Sequence, residues 1–410
     1  MIAVEAILYT KNIPRYLAIR YLGKRWRSLY TSPLSCINHV DIPEPQLPTQ
    51  QWVKIKTRLS GICGSDLGTI TSKGSLYFSP ITSTPFVLGH EIVGEIAEIG
   101  EQVQDWSIGD RVVIEPALSC SVREIEPPCH QCKNLRFANC ENITKGSISA
   151  GVQTGFCRDT GGGWSQYVLA HHSQLHSVPE EMSDEIAVLL EPFSCALHGI
   201  LNVRYDEAEN ICVIGGGTIG LLTVAALRML GYQNRIINFV KHPHQQQFAR
   251  DLGADVVIPT NRSRYDVFSE LTDAESFQPE TGKQILFGGA DSTFDCIGSS
   301  VTIDDALRFT RANGDVILLG MPGIPQNIDW TSMWYKQLNV KGAYAYGMEF
   351  FNDEQVHTFQ LGTHLLYDHG ANLLPLVGTP FQLKDYKKAI QTALNTGKTG
   401  TVKTVFDLRE

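Results

Sequence analysis

Two short motifs and one separate acidic residue supply side chains that bind metals. Cys63 lies in GICGSD, and His90, 27 residues further on, is followed directly by Glu91 in GHE; Glu191 begins the segment EPFSCALHG. Thiolate, imidazole and carboxylate groups are all zinc ligands, and a catalytic zinc has three protein ligands and one exchangeable position. These residue types therefore predict a zinc ion that can polarise a substrate oxygen. Any one of them alone is more often a packed or solvated side chain.

The cysteines are unevenly distributed along the chain. Four of the ten fall between residues 120 and 140: Cys120, Cys129, Cys132 and Cys140. Clustering favours a metal site over disulfides, and four thiolates would saturate a zinc ion, which then stabilises a lobe of the protein instead of performing chemistry. Apart from Cys63, the other cysteines are predicted to be small buried residues: Cys36, Cys157, Cys195, Cys212 and Cys296.

A glycine-rich turn predicts a dinucleotide site. A GxGxxG pattern starts at Gly215, directly after the apolar residues 211–214 and directly before a predicted helix. The glycines allow a tight turn, close approach of a pyrophosphate and close packing of the helix on the strand. The free N–H groups at the start of the helix would then hold the phosphates. The residues expected to contact the cofactor here are Gly215, Gly217, Thr218, Ile219 and Gly220.

The end of the next predicted strand carries information about the cofactor. An NAD site usually has an acidic residue about 20 positions after the glycines, which binds the ribose hydroxyls. This chain has Lys241 and His242 there, and no carboxylate. A basic pair can bind a 2′-phosphate instead, so the sequence favours NADP over NAD. The same pair could also form an ordinary exposed turn.

The elements that must position these residues show two different secondary-structure patterns along the chain. Residues 1 to about 190 are rich in short β-type stretches separated by Gly and Pro. From about residue 210, apolar strands alternate with helical stretches, which predicts a parallel sheet covered on both faces. After Tyr346 the pattern is mixed again.

Length and composition exclude several classes of protein. The 410 residues, of which 43% are hydrophobic and 19% charged, are typical of a globular chain with two or three domains. The formal charge of −9 opposes nonspecific attraction to nucleic acid or anionic lipid, so we expect neither a nucleic-acid nor a membrane partner. Charged residues interrupt every apolar stretch near the start, so no secretory segment is predicted and we expect a cytoplasmic protein.

Residues 10–50 stand out because Lys, Arg and aromatic residues alternate there. We expect a solvated extension whose aromatic side chains pack on the β-rich domain. A nucleic-acid patch is the alternative.

Taken together and in order, the motifs resemble those of the zinc-containing medium-chain alcohol and polyol dehydrogenases. The resemblance spans most of the chain from about residue 50. Besides the motifs above, it rests on GDRV at 109–112, GGGWSQYV at 161–168 and TGTVKTVF at 399–406. It implies an α/β protein: a GroES-like, mostly-β catalytic domain over 1–192, completed by 346–410, and a Rossmann doubly wound parallel-sheet domain over 193–345. It also implies a homo-oligomer, either a dimer or a tetramer.

The resemblance assigns roles to the residues of the first domain. Cys63 and His90 are implied as the first two ligands of a catalytic zinc, and the third is Glu191 or Glu91, since the polyol, threonine and glucose enzymes have Glu at both places. Asp66 would orient His90. These roles favour the branch of polyol, threonine and glucose enzymes over the plain alcohol dehydrogenases.

Three further positions follow from the same resemblance. Ser65 is implied as a proton relay, but Gly68 stands where many relatives have a His that completes the path, so the proton would leave through the ribose, Glu91 or water. Lys403 is implied as a contact to the cofactor pyrophosphate. Cys120 departs from the family spacing, because eight residues separate it from the next cysteine where two are common.

The function expected is zinc-dependent, NAD(P)-dependent interconversion of a small alcohol, polyol or sugar and its carbonyl. One alternative is a simple-alcohol or aldehyde reductase of the same family. The other is a noncatalytic, redox-responsive NADP-binding protein.

Overall fold

The computed structural model describes residues 3–203, 205, 209–260 and 263–409. The chain divides into two compact units. The first unit comprises Met1–Glu191 and Phe359–Glu410, and the second comprises Pro192–Thr358. The sequence predicts the return to the first domain near residue 346, and the structure places it at Phe359.

The first segment of the first unit is mainly β-sheet. Its strands are β1 (Ala3–Tyr9), β2 (Ile37–Pro43), β3 (Trp52–Gly61), β4 (Phe86–Val87), β5 (Ile92–Ile99), β6 (Arg111–Ile114), β7 (Tyr167–His171) and β8 (Leu175–Ser177). Its helices are α1 (Ile13–Leu22), α2 (Gly64–Ile70), α3 (His130–Lys133) and α4 (Asp184–Ala187), and α5 (Leu190–Ile200) leads into the second unit.

The second unit is an open sheet with helices between its strands. Its strands are β9 (Asn210–Ile214), β10 (Arg235–Val240), β11 (Val256–Pro259), β12 (Glu275–Phe277), β13 (Ile285–Phe287), β14 (Ala290–Asp295), β15 (Thr310–Leu318), β16 (Asn339–Gly342), β17 (Met348–Phe351) and β18 (Glu354–His357). Its helices are α6 (Thr218–Met229), α7 (Pro243–Asp251), α8 (Arg264–Leu271), α9 (Ser300–Phe309) and α10 (Thr331–Tyr335). The segment that returns to the first unit contains α11 (Thr358–His369), α12 (Tyr386–Leu394), α13 (Thr396–Thr399) and β19 (Val405–Asp407).

The main sheet of the second unit has the order β11-β10-β9-β14-β15-β16, and all of its pairings are parallel. Every residue of the central strand β9 is buried, as expected for a strand covered on both faces. The predicted parallel sheet is therefore confirmed. The turn after β9 leads into α6, at the carboxyl ends of the strands, where open α/β sheets bind ligands.

Two antiparallel sheets build the first unit. One has the order β2-β1-β4, and the other has the order β19-β3-β5-β6-β8 with β7 also paired to β3. The alternating apolar residues of β3 and β5, such as Val53, Ile55, Ile92 and Ile96, form its core. Strand β19 pairs with the end of β3, Val405 opposite Gly61, so the C-terminal segment reaches the first residue of GICGSD.

Within the described ranges, every helix is too short or too polar to span a bilayer.

Candidate active site and metal centres

Helix α2 places Cys63 and Asp66 against His90. Cys63 is the residue before the helix, and its backbone N–H donates to Oδ2 of Asp66 at 2.9 Å. The other oxygen of this fully buried carboxylate lies 3.5 Å from Nδ1 of His90. A carboxylate at Nδ1 favours the tautomer with its proton there, which leaves Nε2 as the nitrogen available to a metal. The resemblance implies that Asp66 orients His90, and this geometry fits that role.

The surroundings of His90 favour positive charge. Burial lowers the pKa of His90, but the Asp66 carboxylate and the Cys63 sulfur together raise it well above its ordinary value. Ser65 lies at the other nitrogen of the ring, with its Oγ 3.3 Å from Nε2. The Cys63 sulfur and the His90 imidazole nitrogen are two donor types that zinc sites use.

Glu91 is paired with a lysine from the far end of the chain. The ammonium of Lys403 forms an ion pair with Oε2 of Glu91, and both side chains are almost fully buried. Lys403 Nζ also donates to the carbonyl of Ile62 at 3.4 Å. Burial lowers the pKa of Lys403, but Glu91, then Cys63 and Glu191, raise it above its ordinary value. The structure thus places Lys403, which the sequence assigns to the cofactor pyrophosphate, beside Glu91 in the first unit.

Gly61 makes room for this pair. A Cβ at residue 61 would overlap Oε2 of Glu91 and approach the Lys403 side chain. The Gly61 carbonyl accepts a hydrogen bond from Nε1 of Trp164 at 3.1 Å, which fixes the strand end from the other side. The first glycine of GICGSD is therefore a packing requirement of the site.

Glu191 stands in the first turn of α5 and is buried, with an exposed fraction of 6%. It lies near enough to contribute to the pKa of Lys403. In the described part of the chain, however, Cys63, His90 and Glu191 do not form a group whose ligand atoms all lie within 4.8 Å of one another. A three-ligand site with Glu191 therefore requires these ligand atoms to come closer together.

The four clustered cysteines do converge. The ligand atoms of Cys120, Cys129, Cys132 and Cys140 all lie within 4.8 Å of one another, so the structure includes Cys120 despite its unusual spacing. The Cys120 and Cys140 sulfurs are 3.6 Å apart. Hydrogen bonding from Cys132 lowers the pKa of Cys140 to about 5, and the same contact, with burial, raises the pKa of Cys132. This cluster has the donors and the compactness of a four-thiolate zinc site.

Backbone amides surround these sulfurs. The N–H groups of Cys129 and Asn142 donate to Cys120 and Cys140 at 3.3 and 3.4 Å, and the Asn142 side-chain amide also donates to Cys120 at 3.3 Å. Such donors stabilise thiolates. Sequence reasoning missed Asn142, because a single Asn carries no signal of its own.

Arg123 lies inside the same lobe and was also missed. It is fully buried, and its guanidinium donates to the backbone carbonyls of Leu118, Lys145, Ile148, Ser149 and Gly151. Burial lowers its pKa, while nearby Cys157, Cys140 and Cys120 raise it. A buried cation among carbonyls holds the loops of the lobe together and offsets negative charge on the cysteines.

The glycine turn of the second unit has the predicted form. Gly215 has φ +131°, which favours glycine, and a Cβ at Gly220 would overlap the Gly215 carbonyl. A Cβ at Gly217 would meet no atom within 4 Å. Among the described residues, no side-chain hydrogen bond caps α6 at Gly217. The turn thus has the form of a phosphate-binding turn, with Thr218 and Ile219 at the start of α6.

Lys241 and His242 follow β10 directly. Lys241 is exposed, and His242 precedes α7 with its ring stacked on that of His244 at 5.9 Å. Within β10, the buried Asn238 donates to the carbonyls of Val213 and Gly215 at 2.8 and 3.0 Å. Asn238 therefore fixes the start of the glycine turn, a role that the sequence did not reveal.

Comparisons with known proteins agree with this description. The family described as "Alcohol dehydrogenase GroES-like domain" matches residues 49–180, and that described as "Zinc-binding dehydrogenase" matches residues 218–358. The L-threonine 3-dehydrogenase of Pectobacterium carotovorum subsp. carotovorum (strain PC1) is 30% identical over 372 residues, which is 90% of this chain and 96% of that protein. The L-idonate 5-dehydrogenase of Vitis vinifera is 28% identical over 366 residues, 87% of this chain and 88% of that protein.

Among solved structures, 2R,3R-butanediol dehydrogenase from Bacillus subtilis is similar with a TM-score of 0.71 and 22% identity, covering 98% of this chain and 99% of that one. This likeness and the two family matches confirm the predicted fold class, a GroES-like domain with a Rossmann domain.

Proposed function

The chain belongs to the zinc-containing medium-chain alcohol and polyol dehydrogenases, and we propose that its substrate is a small polar secondary alcohol, such as a polyol, a sugar or a hydroxy acid derivative. The relatives described above act, by their names, on L-threonine and L-idonate. The observation that carries the proposal is the set of half-buried Cys63 with buried Asp66 and His90, in which Nε2 of the imidazole is directed toward Ser65.

For the catalytic zinc, we assign Cys63, His90 and Glu191 as the ligands. When bound, zinc acts as a Lewis acid that stabilises negative charge on the substrate oxygen. Glu91 is held by Lys403, which supports Glu191 as the third ligand. Asp66 holds the His90 ring in the tautomer that can bind.

In this proposal, Ser65 handles the proton of the substrate alcohol, and Lys403 balances the negative charge of Glu91. The hydroxyl of Ser65 accepts the proton of the substrate alcohol and passes it on. Lys403 neutralises Glu91, so that the carboxylate of Glu91 does not compete for the cation at Cys63 and His90. Gly68 offers no group to continue a relay, so the proton leaves through Glu91, the cofactor ribose or water.

For the structural metal, we assign the four thiolates of Cys120, Cys129, Cys132 and Cys140. Their compactness and the amide donors around them support this assignment. A saturated site of this kind stabilises its lobe and leaves no position for a substrate.

The cofactor is a nicotinamide dinucleotide, and we propose that it is NADP. The cofactor supplies the hydride acceptor when bound. The turn at Gly215, Gly217 and Gly220 and the amides at Thr218 and Ile219 bind its pyrophosphate, and the exposed Lys241 with His242 binds the 2′-phosphate. We further propose a cytoplasmic homo-oligomer, on the family likeness alone.

The test is nicotinamide reduction by the purified, zinc-loaded protein with a panel of polyols, sugars, L-threonine and simple alcohols, each with NAD⁺ and NADP⁺. We expect turnover with a polar secondary alcohol and weaker or no turnover with ethanol. Turnover confined to simple primary alcohols would overturn the substrate class. Cofactor binding without turnover on any substrate would overturn the enzymatic assignment in favour of a binding protein.

A further inference from the structure

Residues 11–35 form an insertion at the tip of the β1–β2 hairpin, which we call the hairpin insert. The hairpin closes just before it, since Tyr9 pairs with Ile37 and the Thr10 N–H donates to the Cys36 carbonyl at 2.8 Å. Hairpins of this kind need only about two to five connecting residues. The insert also lies outside both ranges matched by the family comparisons. The hairpin could close without the insert, which is much longer than the connection needs.

The hairpin insert is strongly basic within an acidic protein. It contains no Asp or Glu, although the whole chain has a formal charge of −9. Its basic residues are Lys11, Arg15, Arg20, Lys24, Arg25 and Arg27. Net charge predicts weak attraction to anionic surfaces, but at physiological salt a charge acts only within about 8 Å, so the local basic surface decides the contact.

Helix α1 of the insert is anchored on one face. Ile19 is buried, with an exposed fraction of 1%, in a cluster that also contains Tyr30 and Phe86. Arg20 donates to the hydroxyl of Tyr16 at 3.1 Å and to the carbonyl of Ser72 at 2.9 Å. These contacts fix the orientation of the helix on the first unit.

The opposite face of α1 is apolar and exposed. Ile13, Leu17 and Tyr21 follow one another at intervals of four residues, so they lie in one stripe along the helix. Their exposed fractions are 54%, 44% and 73%, and Trp26, just after the helix, is 54% exposed. The outward face of a surface helix is normally polar. Of the four aromatic residues that the sequence predicts to pack on the β-rich domain, Tyr16 and Tyr30 do so, while Tyr21 and Trp26 face outward.

An exposed apolar stripe with cations beside it fits a partner that has an apolar phase bordered by negative charge. An anionic lipid bilayer offers both, because Ile and Leu enter the acyl boundary, Tyr and Trp suit the headgroup region, and Lys and Arg meet the phosphates. Nucleic acid offers phosphates but no apolar layer for aliphatic side chains. We propose that the hairpin insert binds the dehydrogenase peripherally and reversibly to the surface of an anionic membrane, with the stripe of α1 at the acyl boundary.

The test is flotation of the full-length protein with vesicles of phosphatidylcholine alone and of phosphatidylcholine mixed with phosphatidylserine. We expect flotation with the mixed vesicles only, and less of it at high salt. The variants Lys24→Glu/Arg25→Glu and Leu17→Ser/Tyr21→Ser change exposed side chains, so they should fold, and each should lower the partition coefficient at least about tenfold. The matched controls Arg250→Glu and Ile108→Ser, also exposed, should float like the wild type.

Other occupants of the surface give different results, and each overturns the proposal. Absence of flotation, or equal flotation of the double variants, excludes the insert as a membrane contact. A shift of duplex DNA by the wild type without flotation identifies nucleic acid. A smaller sedimenting mass for Leu17→Ser/Tyr21→Ser than for the wild type identifies a second copy of this chain. Dehydrogenase activity should be the same in all variants, so this result is independent of the proposed function.

Discussion

At the scale of single residues, the contact between Asp66 and His90 decides which imidazole nitrogen a metal can use. Asp66 has two tasks, because one oxygen accepts from the Cys63 N–H and the other faces Nδ1 of His90. The first task needs only an acceptor, and the second needs a negative charge. The two tasks can therefore be separated by mutation.

Asp66→Asn keeps an oxygen for the Cys63 amide and removes the charge at His90. We expect roughly tenfold to hundredfold weaker zinc binding at the catalytic site and a similar fall in kcat/KM, as for other partners of metal-bound histidines. Competition with a chelator measures the affinity. The control is Asp110→Asn, since Asp110 accepts from the Ser107 N–H with the same three-residue spacing and is not part of the proposed zinc site. Equal losses of zinc affinity in the two variants would show that Asp66 only caps α2 and does not orient His90.

Lys241 tests the choice of cofactor. Lys241→Asp replaces the cation assigned to the 2′-phosphate, and a charge-assisted hydrogen bond of about 1.5–3 kcal/mol corresponds to roughly a tenfold to hundredfold weaker affinity. We expect this loss for NADPH and little change for NADH, measured by fluorescence titration. Arg250→Asp, an exposed position in the following helix α7, should change neither. Equal weakening of both cofactors, or of neither, would refute the 2′-phosphate assignment.

At the scale of elements, short-range patterns were predictable and long-range contacts were not. The glycine turn could be predicted because all its residues lie in one short stretch, from the end of β9 to the first turn of α6, so their spacing in the sequence determines the geometry. The pair of Glu91 and Lys403 could not, because it depends on β19 pairing with β3. The same holds for Arg123, whose partners are backbone carbonyls that no side-chain pattern reveals.

The cysteine lobe gives a test at this scale. Cys120 breaks the family spacing, yet its sulfur lies among the other three. We expect Cys120→Ala and Cys129→Ala each to lose one zinc per chain after dialysis against a chelator and to melt at a lower temperature. Cys36→Ala, a buried cysteine outside the lobe, should keep all its zinc. Retention of zinc by Cys120→Ala would show that only three cysteines hold the metal.

At the scale of the whole molecule, the proposed metal ligands and the proposed cofactor contacts of the glycine turn lie in different units. The first unit holds both groups of residues that we propose as zinc ligands, and the second presents the glycine turn and the basic pair after β10. The sequence predicted this division, because the pattern changes near residue 200 from short β-type stretches to alternating strands and helices. The position of the return was less predictable, because β17 and β18 form a hairpin, and short strands resemble the β-rich texture of the first unit.

The account depends most on a zinc ion held by Cys63 and His90. Its most direct test is zinc content and turnover of Cys63→Ala, measured on the same preparation and compared with the wild type. We predict two zinc ions per chain in the wild type, one in Cys63→Ala, no turnover in the variant and unchanged binding of the nicotinamide cofactor. A Cys63→Ala protein that kept both zinc ions and its turnover would contradict the account.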